Sequence, residues 1–130
     1  MATARYPGLT LRLLSGARPA MGPGKAELLE HIAATGSISA AARAMGMSYR
    51  RAWQLVEAMN RDFASPLVTT ATGGKRGGGA VVSDLGREAL QRFRKMELKA
   101  SRAIERDTVG FVQLLKPARR RAGTKEREKV

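Results

Sequence analysis

The chain has no cysteine in its 130 residues. Disulfides, thiolate catalysis and thiolate metal sites are therefore excluded. A single histidine, His31, leaves no cluster of imidazoles for zinc. No stretch approaches the apolar length of a membrane helix, and the N-terminal "MATARYPG" has no signal-like apolar region, so a cytoplasmic, nucleoid-associated location is expected. Aromatic residues make up only 5% of the chain. Trp53 and Phe63 fall on or near an apolar helix side, which leaves no stacking platform for single-stranded RNA. Acidic residues are scarce as well, 11 against 24 lysines and arginines, for a net charge of +13. A surface that positive attracts polyanions, and nucleic acid is the leading partner. The segment "KPARRRAGTKEREKV" (116–130) reads as a basic, disordered tail, but most of the positive surplus stays in the body, residues 1–115. Acidic membrane is the rival partner for such a tail, yet no amphipathic anchor with aromatic residues accompanies it.

What the chain does have is glycine in an unusual place. "ATGGKRGGGAVV" (71–82) sets five glycines around Lys75 and Arg76. Glycine loses more backbone freedom on folding than any other residue, so such a run marks close backbone approach or a sharp bend. It is not a P-loop, because the cations precede Gly77 instead of following the last glycine, and not a dinucleotide fingerprint, because Val82 stands where the third glycine would fall.

Along the chain, "LTLRLL" (9–14) alternates Leu9, Leu11 and Leu13 against Thr10 and Arg12, as in a half-buried strand, and "SGARPAMGPG" reads as a loop. From Lys25, a helix carrying Leu28, Leu29 and Ile32 on one stripe ends at Gly36. In 37–66, Ile38, Ala41, Ala42 and Met45 recur at helical spacing and Gly46 interrupts them. A second helix begins after Ser48, a suitable N-cap, with Ala52, Val56, Met59 and Phe63 beside Leu55 on its apolar face. Arg50, Gln54, Glu57 and Arg61 fall on the opposite face. Two helices joined at a glycine turn, with small alanines where they cross, make a helix-turn-helix; an ordinary helical hairpin would show the same pattern.

"LVTTAT" and "AVVS" flank the glycine segment as short strands, so the three together read as a hairpin with a long tip. After a basic helix-turn-helix, such a hairpin is a wing whose glycines let backbone lie against phosphates or in a minor groove, with Lys75 and Arg76 supplying charge. A surface loop touching nothing is the alternative. The last helix begins near Ser83 or Asp84, and its Ala89, Phe93, Met96, Ala100 and Ala103 repeat in a 4, 3, 4, 3 alternation that suggests a dimer seam, or packing within one protomer. "VGFVQLL" (109–115) is a further apolar stretch. The fold class expected is mainly α with a small β component. No enzyme site is visible: Glu27 and Glu30 share a helix with no nucleophile, metal ligand or phosphate cradle, His31 has no partner, and no cofactor is implied.

"GSISAAARAMGMSYRRAW", "EAMN", "ATGGKRGGGAVVS" and the following Gly86 together resemble the N-terminal DNA-binding domain of the ModE-type molybdate-responsive transcription regulators, itself related to the LysR-type winged helix. The resemblance covers roughly 9–110 and implies a winged helix-turn-helix homodimer on palindromic double-stranded DNA. The implied dimer contacts are the N-terminal strand (Leu11, Leu13) and the long final helix (Phe93, Met96, Ala100, Ala103). Ser48, Tyr49 and Arg50 then open the recognition helix, Ala52 and Trp53 seat it, and 72–79 form the wing, including Thr72, Gly73, Gly74, Lys75, Arg76 and Gly77. Arg50, Arg51 and Gln54 are the expected base readers, Ser48 and Tyr49 the phosphate contacts. Family members continue into molybdate-binding domains; the expectation here is a sequence-specific regulator lacking them, which either binds DNA without an effector, relies on a separate effector-sensing protein, or is controlled through its own concentration. A nucleoid-associated or architectural protein of low sequence preference is the alternative.

Overall fold

A computed structural model of the chain describes residues 5–6, 8–71 and 79–117. It opens with an antiparallel hairpin of β1 (Leu13–Ser15) and β2 (Arg18–Met21). Burial alternates as expected from Leu9 to Leu14, but the ladder starts only at Leu13, preceded by an isolated bridge between Tyr6 and Leu9. The loop expected at "SGARPAMGPG" is instead the turn and second strand of this hairpin, followed directly by a helix that begins at Pro23, two residues before the expected Lys25. Gly16 supplies the left-handed turn at φ +63°, and Pro19 is tolerated because a two-stranded ribbon has only edge strands.

Three helices follow: α1 (Pro23–Thr35), α2 (Ile38–Ala44) and α3 (Tyr49–Asp62). Each boundary has a local cause. Proline occupies the first turn of α1, and Gly36 ends it in the left-handed region at φ +69°. Ser37 caps α2 by accepting from Ala40 N, and Ser48 caps α3 by accepting from Arg51 N at 3.0 Å. Gly46, also at φ +69°, makes the turn between them. The stripes read from the sequence meet in one core: Leu28, Leu29 and Ile32 of α1, Ala41 and Ala42 of α2, and Ala52, Val56 and Met59 of α3 are buried, with Leu55, Trp53 and Phe63 packed at its edge.

A second ribbon pairs β3 (Val68–Ala71) with β4 (Gly79–Val82), Val68 opposite Val82 and Ala71 opposite Gly79. Val68, Ala80 and Val82 turn into the core. The ribbon joins α1 through Ala80 N–H donating to Gly36 O. Ser83 then caps α4 (Asp84–Ala103) and donates its hydroxyl to Pro66 O at 2.7 Å. The long final helix expected from the sequence breaks at Ile104, and a separate α5 (Glu105–Val112) takes up part of the apolar 109–115 stretch with its side chains exposed.

Gly86 shows how closely α4 is seated. A β-carbon there would collide with the carbonyl oxygen of Leu67 and come within 2.7 Å of a Val82 methyl. Gly86→Ala is therefore expected to force the β3–β4 ribbon and α4 apart at a cost of about 1–3 kcal/mol, measured as a lower urea midpoint with an unchanged slope.

Candidate nucleic-acid interface

Helix α3 turns a polar, exposed face outward. Ser48, Tyr49, Arg50, Arg51 and Gln54 are all exposed, as are Glu57 and Arg61 farther along. At about 100° per residue, Arg50, Gln54, Glu57 and Arg61 lie within about 60° of one another, opposite the buried Met59, so one carboxylate stands among the cations of this stripe. Arg51 is exposed about 100° from Arg50, on the flank of the helix. Tyr49 packs edge-on against Trp53, their ring centroids 6.3 Å apart, which holds the half-buried Trp53 on the opposite flank.

Asn60 aligns α3 with the β3–β4 ribbon. Its Oδ1 accepts from Leu67 N (2.8 Å) and Val68 N (3.1 Å), and its Nδ2 donates to Val68 O (3.0 Å). Three bonds from one side chain fix the base of the ribbon to the last turn of the helix. The tip residues Thr72, Gly73, Gly74, Lys75, Arg76 and Gly77 lie outside the described residues, as does the basic segment 118–130.

Two residues on, Asp62 does the same for the other ribbon. Its side chain is only 2% exposed and accepts from Arg18 of β2 at 2.7 Å, with Arg61 at 3.9 Å. Lys25, in the first turns of α1, donates to Pro19 O at 2.7 Å. Partial burial holds the Lys25 ammonium below its ordinary pKa, and Arg61, Arg18 and Arg51 push the same way while Asp62 opposes them. These positions carried no signal in the sequence, because Arg18 and Asp62 meet across 44 residues.

The expected dimer positions divide. Phe93 is 1% exposed and sits in the core of its own protomer, so the alternation that suggested a seam is used there for internal packing. Leu11 and Leu13 are half-buried against the same core; Met96 and Ala103 are exposed and Ala100 is half-buried. Beside Phe93 is a feature that periodicity did not reveal. Arg94 of α4 forms a forked pair with Glu30 of α1 (2.7 and 3.0 Å) and a bond to the buried Glu97 (2.8 Å). Its guanidinium bonds keep the Glu30 carboxyl below the usual carboxylate range. His31 faces Glu27 at 3.6 Å, a surface pair one helical turn apart. Among the described residues, no three carboxylate, histidine or cysteine side chains group to hold a metal, and no helix is long and apolar enough to cross a membrane.

Residues 24–87, which contain α1, the helix-turn-helix and the following ribbon, match the profile of the bacterial regulatory helix-turn-helix proteins of the lysR family. This segment is a lysR-family helix-turn-helix domain. The molybdenum-pterin-binding protein MopB of Rhodobacter capsulatus is 46% identical over 90 residues, 69% of this chain and 33% of MopB. The DNA-binding transcriptional dual regulator ModE of Escherichia coli K12 is 45% identical over 71 residues, 55% of this chain and 27% of ModE. The chain thus spans about a third of the length of the curated relatives it matches, and the lysR-type domain is of the ModE variety that the sequence resembles. The solved CbnR_DBD–DNA complex matches with a TM-score of 0.52 at 20% identity, over 67% of this chain and 94% of that one, so the winged helix-turn-helix fold is shared. The lysR match is to regulators and not to enzymes.

Proposed function

We propose that this chain is a sequence-specific, double-stranded-DNA-binding transcription regulator that inserts α3 into the major groove. The observation that carries the proposal is the outward stripe of Arg50, Gln54 and Arg61, exposed on a capped, core-anchored helix with a ribbon tied to its flank. Arg50 can address guanine O6 and N7 with both arms of its guanidinium, and Gln54 can address adenine N6 and N7. Ser48 spends an acceptor lone pair on the cap and keeps its hydroxyl proton to donate to a phosphate. Tyr49, exposed beside it, is assigned the same partner, and Arg51 moves from base reader to backbone contact because of its place on the helix flank. The name of the MopB relative, a molybdenum-pterin-binding protein, points to genes of molybdenum use as targets.

As a homodimer the protein would place two copies of α3 about one helical turn, or a multiple of it, apart along the duplex. Exposed Met96 and Ala103, with Ala100, Leu11 and Leu13, are the proposed contacts. The wing residues 72–77 are assigned to phosphates or the minor groove. Replacing Lys75 and Arg76 together by alanine is expected to reduce the slope of log affinity against log salt by roughly 2, and an unchanged slope would remove the wing from the contact set.

Competition decides between this reading and an architectural protein of low selectivity, which the charge of +13 would also suit. A site selected from random DNA should be preferred to bulk DNA by about a thousandfold or more. Equal binding of both would leave only the architectural reading.

A further inference from the structure

The hairpin of β1 and β2 projects beside α3 on the side away from β3 and β4. Asn60, which fixes the β3–β4 ribbon, and Asp62, which fixes Arg18 of the hairpin, are two residues apart and so about 200° apart around the helix. The stripe of Arg50, Gln54 and Arg61 faces outward midway between them. Recognition helix and ribbons therefore form a saddle with two flanks.

The hairpin flank is strongly basic. Arg18 and Arg61 flank the nearly buried carboxylate of Asp62, and Lys25 lies near Arg18, Arg61 and, farther up α3, Arg51. Among the described residues these four cations have one carboxylate partner, Asp62, which leaves a surplus of positive charge. The Arg18 side chain stays 58% exposed even while it holds Asp62, and Arg61 stays 60% exposed. Each has guanidinium N–H donors left over for an outside acceptor. The flank is also held rigidly: Arg18 ties the hairpin to the end of α3, and Lys25 ties it to the start of α1. A rigid, exposed surplus of donors beside a helix that lies in a groove suits a row of phosphates, which is read by charge and geometry and carries no base identity.

We infer that the β1–β2 hairpin is a second backbone clamp, in which Arg18, Lys25 and Arg51 bind phosphates on the groove wall opposite the one reached by the wing. This inference rests on the DNA-binding reading of α3. It adds a contact surface that lies partly N-terminal to the matched helix-turn-helix segment 24–87. Arg61, on both the stripe and the flank, joins the clamp to the base-reading face.

The test uses the whole chain with Arg18→Gln and Lys25→Gln combined, titrated against a selected operator duplex and a random duplex of equal length at several salt concentrations. Losing two phosphate contacts should lower the slope of log affinity against log salt by about 2, so that the gap to wild type narrows roughly tenfold between 50 and 200 mM salt. Both duplexes should weaken alike and the operator preference should persist. An unchanged slope in a variant that melts like wild type, or a lost preference without a slope change, would overturn the clamp. Should freeing Asp62 unfold the double variant, Lys25→Gln alone carries the test, with a slope change of about 1. Phosphate ethylation of the operator supplies an independent readout: wild type should be blocked at flanking positions to which the folded Lys25→Gln protein is indifferent, and identical interference patterns would also overturn the clamp. Failure of the underlying reading looks different, since wild type itself would then bind the two duplexes equally or bind neither.

Discussion

Arg50→Ala combined with Gln54→Ala is expected to weaken binding to the selected operator by about 2–6 kcal/mol while changing affinity for random DNA far less, since each bidentate contact to a base edge is worth roughly 1–3 kcal/mol of discrimination. Both side chains are exposed on α3, away from the buried Ala52, Val56 and Met59, so their removal leaves the core intact. The single variants locate the contacts. Arg50→Ala should become indifferent to replacement of one guanine in each half-site, and Gln54→Ala to replacement of one adenine, while each still responds to the other substitution. Uniform weakening across every sequence would show that these side chains contact phosphate and that discrimination lies elsewhere.

The other large effect is on stability. Arg94→Ala is expected to destabilise the fold by about 3–5 kcal/mol, because Glu97, 3% exposed, would lose the cation that neutralises it inside the protein. Against a total stability on the order of 5–15 kcal/mol that is enough to leave a sizeable unfolded fraction, visible as an early urea midpoint. Arg94→Met with Glu97→Leu, which removes both charges together, should recover most of the loss. A urea midpoint for Arg94→Ala equal to wild type would show that Glu97 is neutralised in some other way. The same cluster sets an acid response. Bonds from Arg94 hold the Glu30 carboxyl below its unfolded pKa, so its contribution is complete above about pH 4.3 and is lost as pH falls through the lower, folded value. Glu30→Gln should flatten that acid limb of the stability profile, and an identical limb in both proteins would assign the response to other carboxylates.

How much of this was legible in the sequence depended on the distance over which each signal acts. The α2–turn–α3 unit was readable because its causes are local: an alanine-rich stripe, Gly46 at positive φ, and Ser48 accepting from an amide three residues on. Gly36 and Ser83 marked helix boundaries for the same reason. The β2 strand was obscured by Pro19, a residue that argues for a loop until the ribbon is seen to be two-stranded. The break at Ile104 interrupts a helix whose composition gave no cap or glycine to announce it. Arg94 and Glu30 pair across 64 residues, and Arg18 and Asp62 across 44, and no periodicity records such meetings. The candidate site divides along the same line. The exposed face of α3 follows from helical spacing, whereas the basic flank around Asp62 exists only once the hairpin, α1 and the end of α3 come together. Phe93 marks the limit of heptad reasoning, since a residue at seam spacing serves equally well in the core of its own protomer.

Guanine methylation interference on the selected operator reads entry of α3 into the major groove, because N7 lies in that groove. Methylation of one guanine per half-site should abolish wild-type binding and leave Arg50→Ala unaffected at that position. Wild-type binding insensitive to N7 methylation anywhere in the site would contradict the assignment of α3 as the reading element.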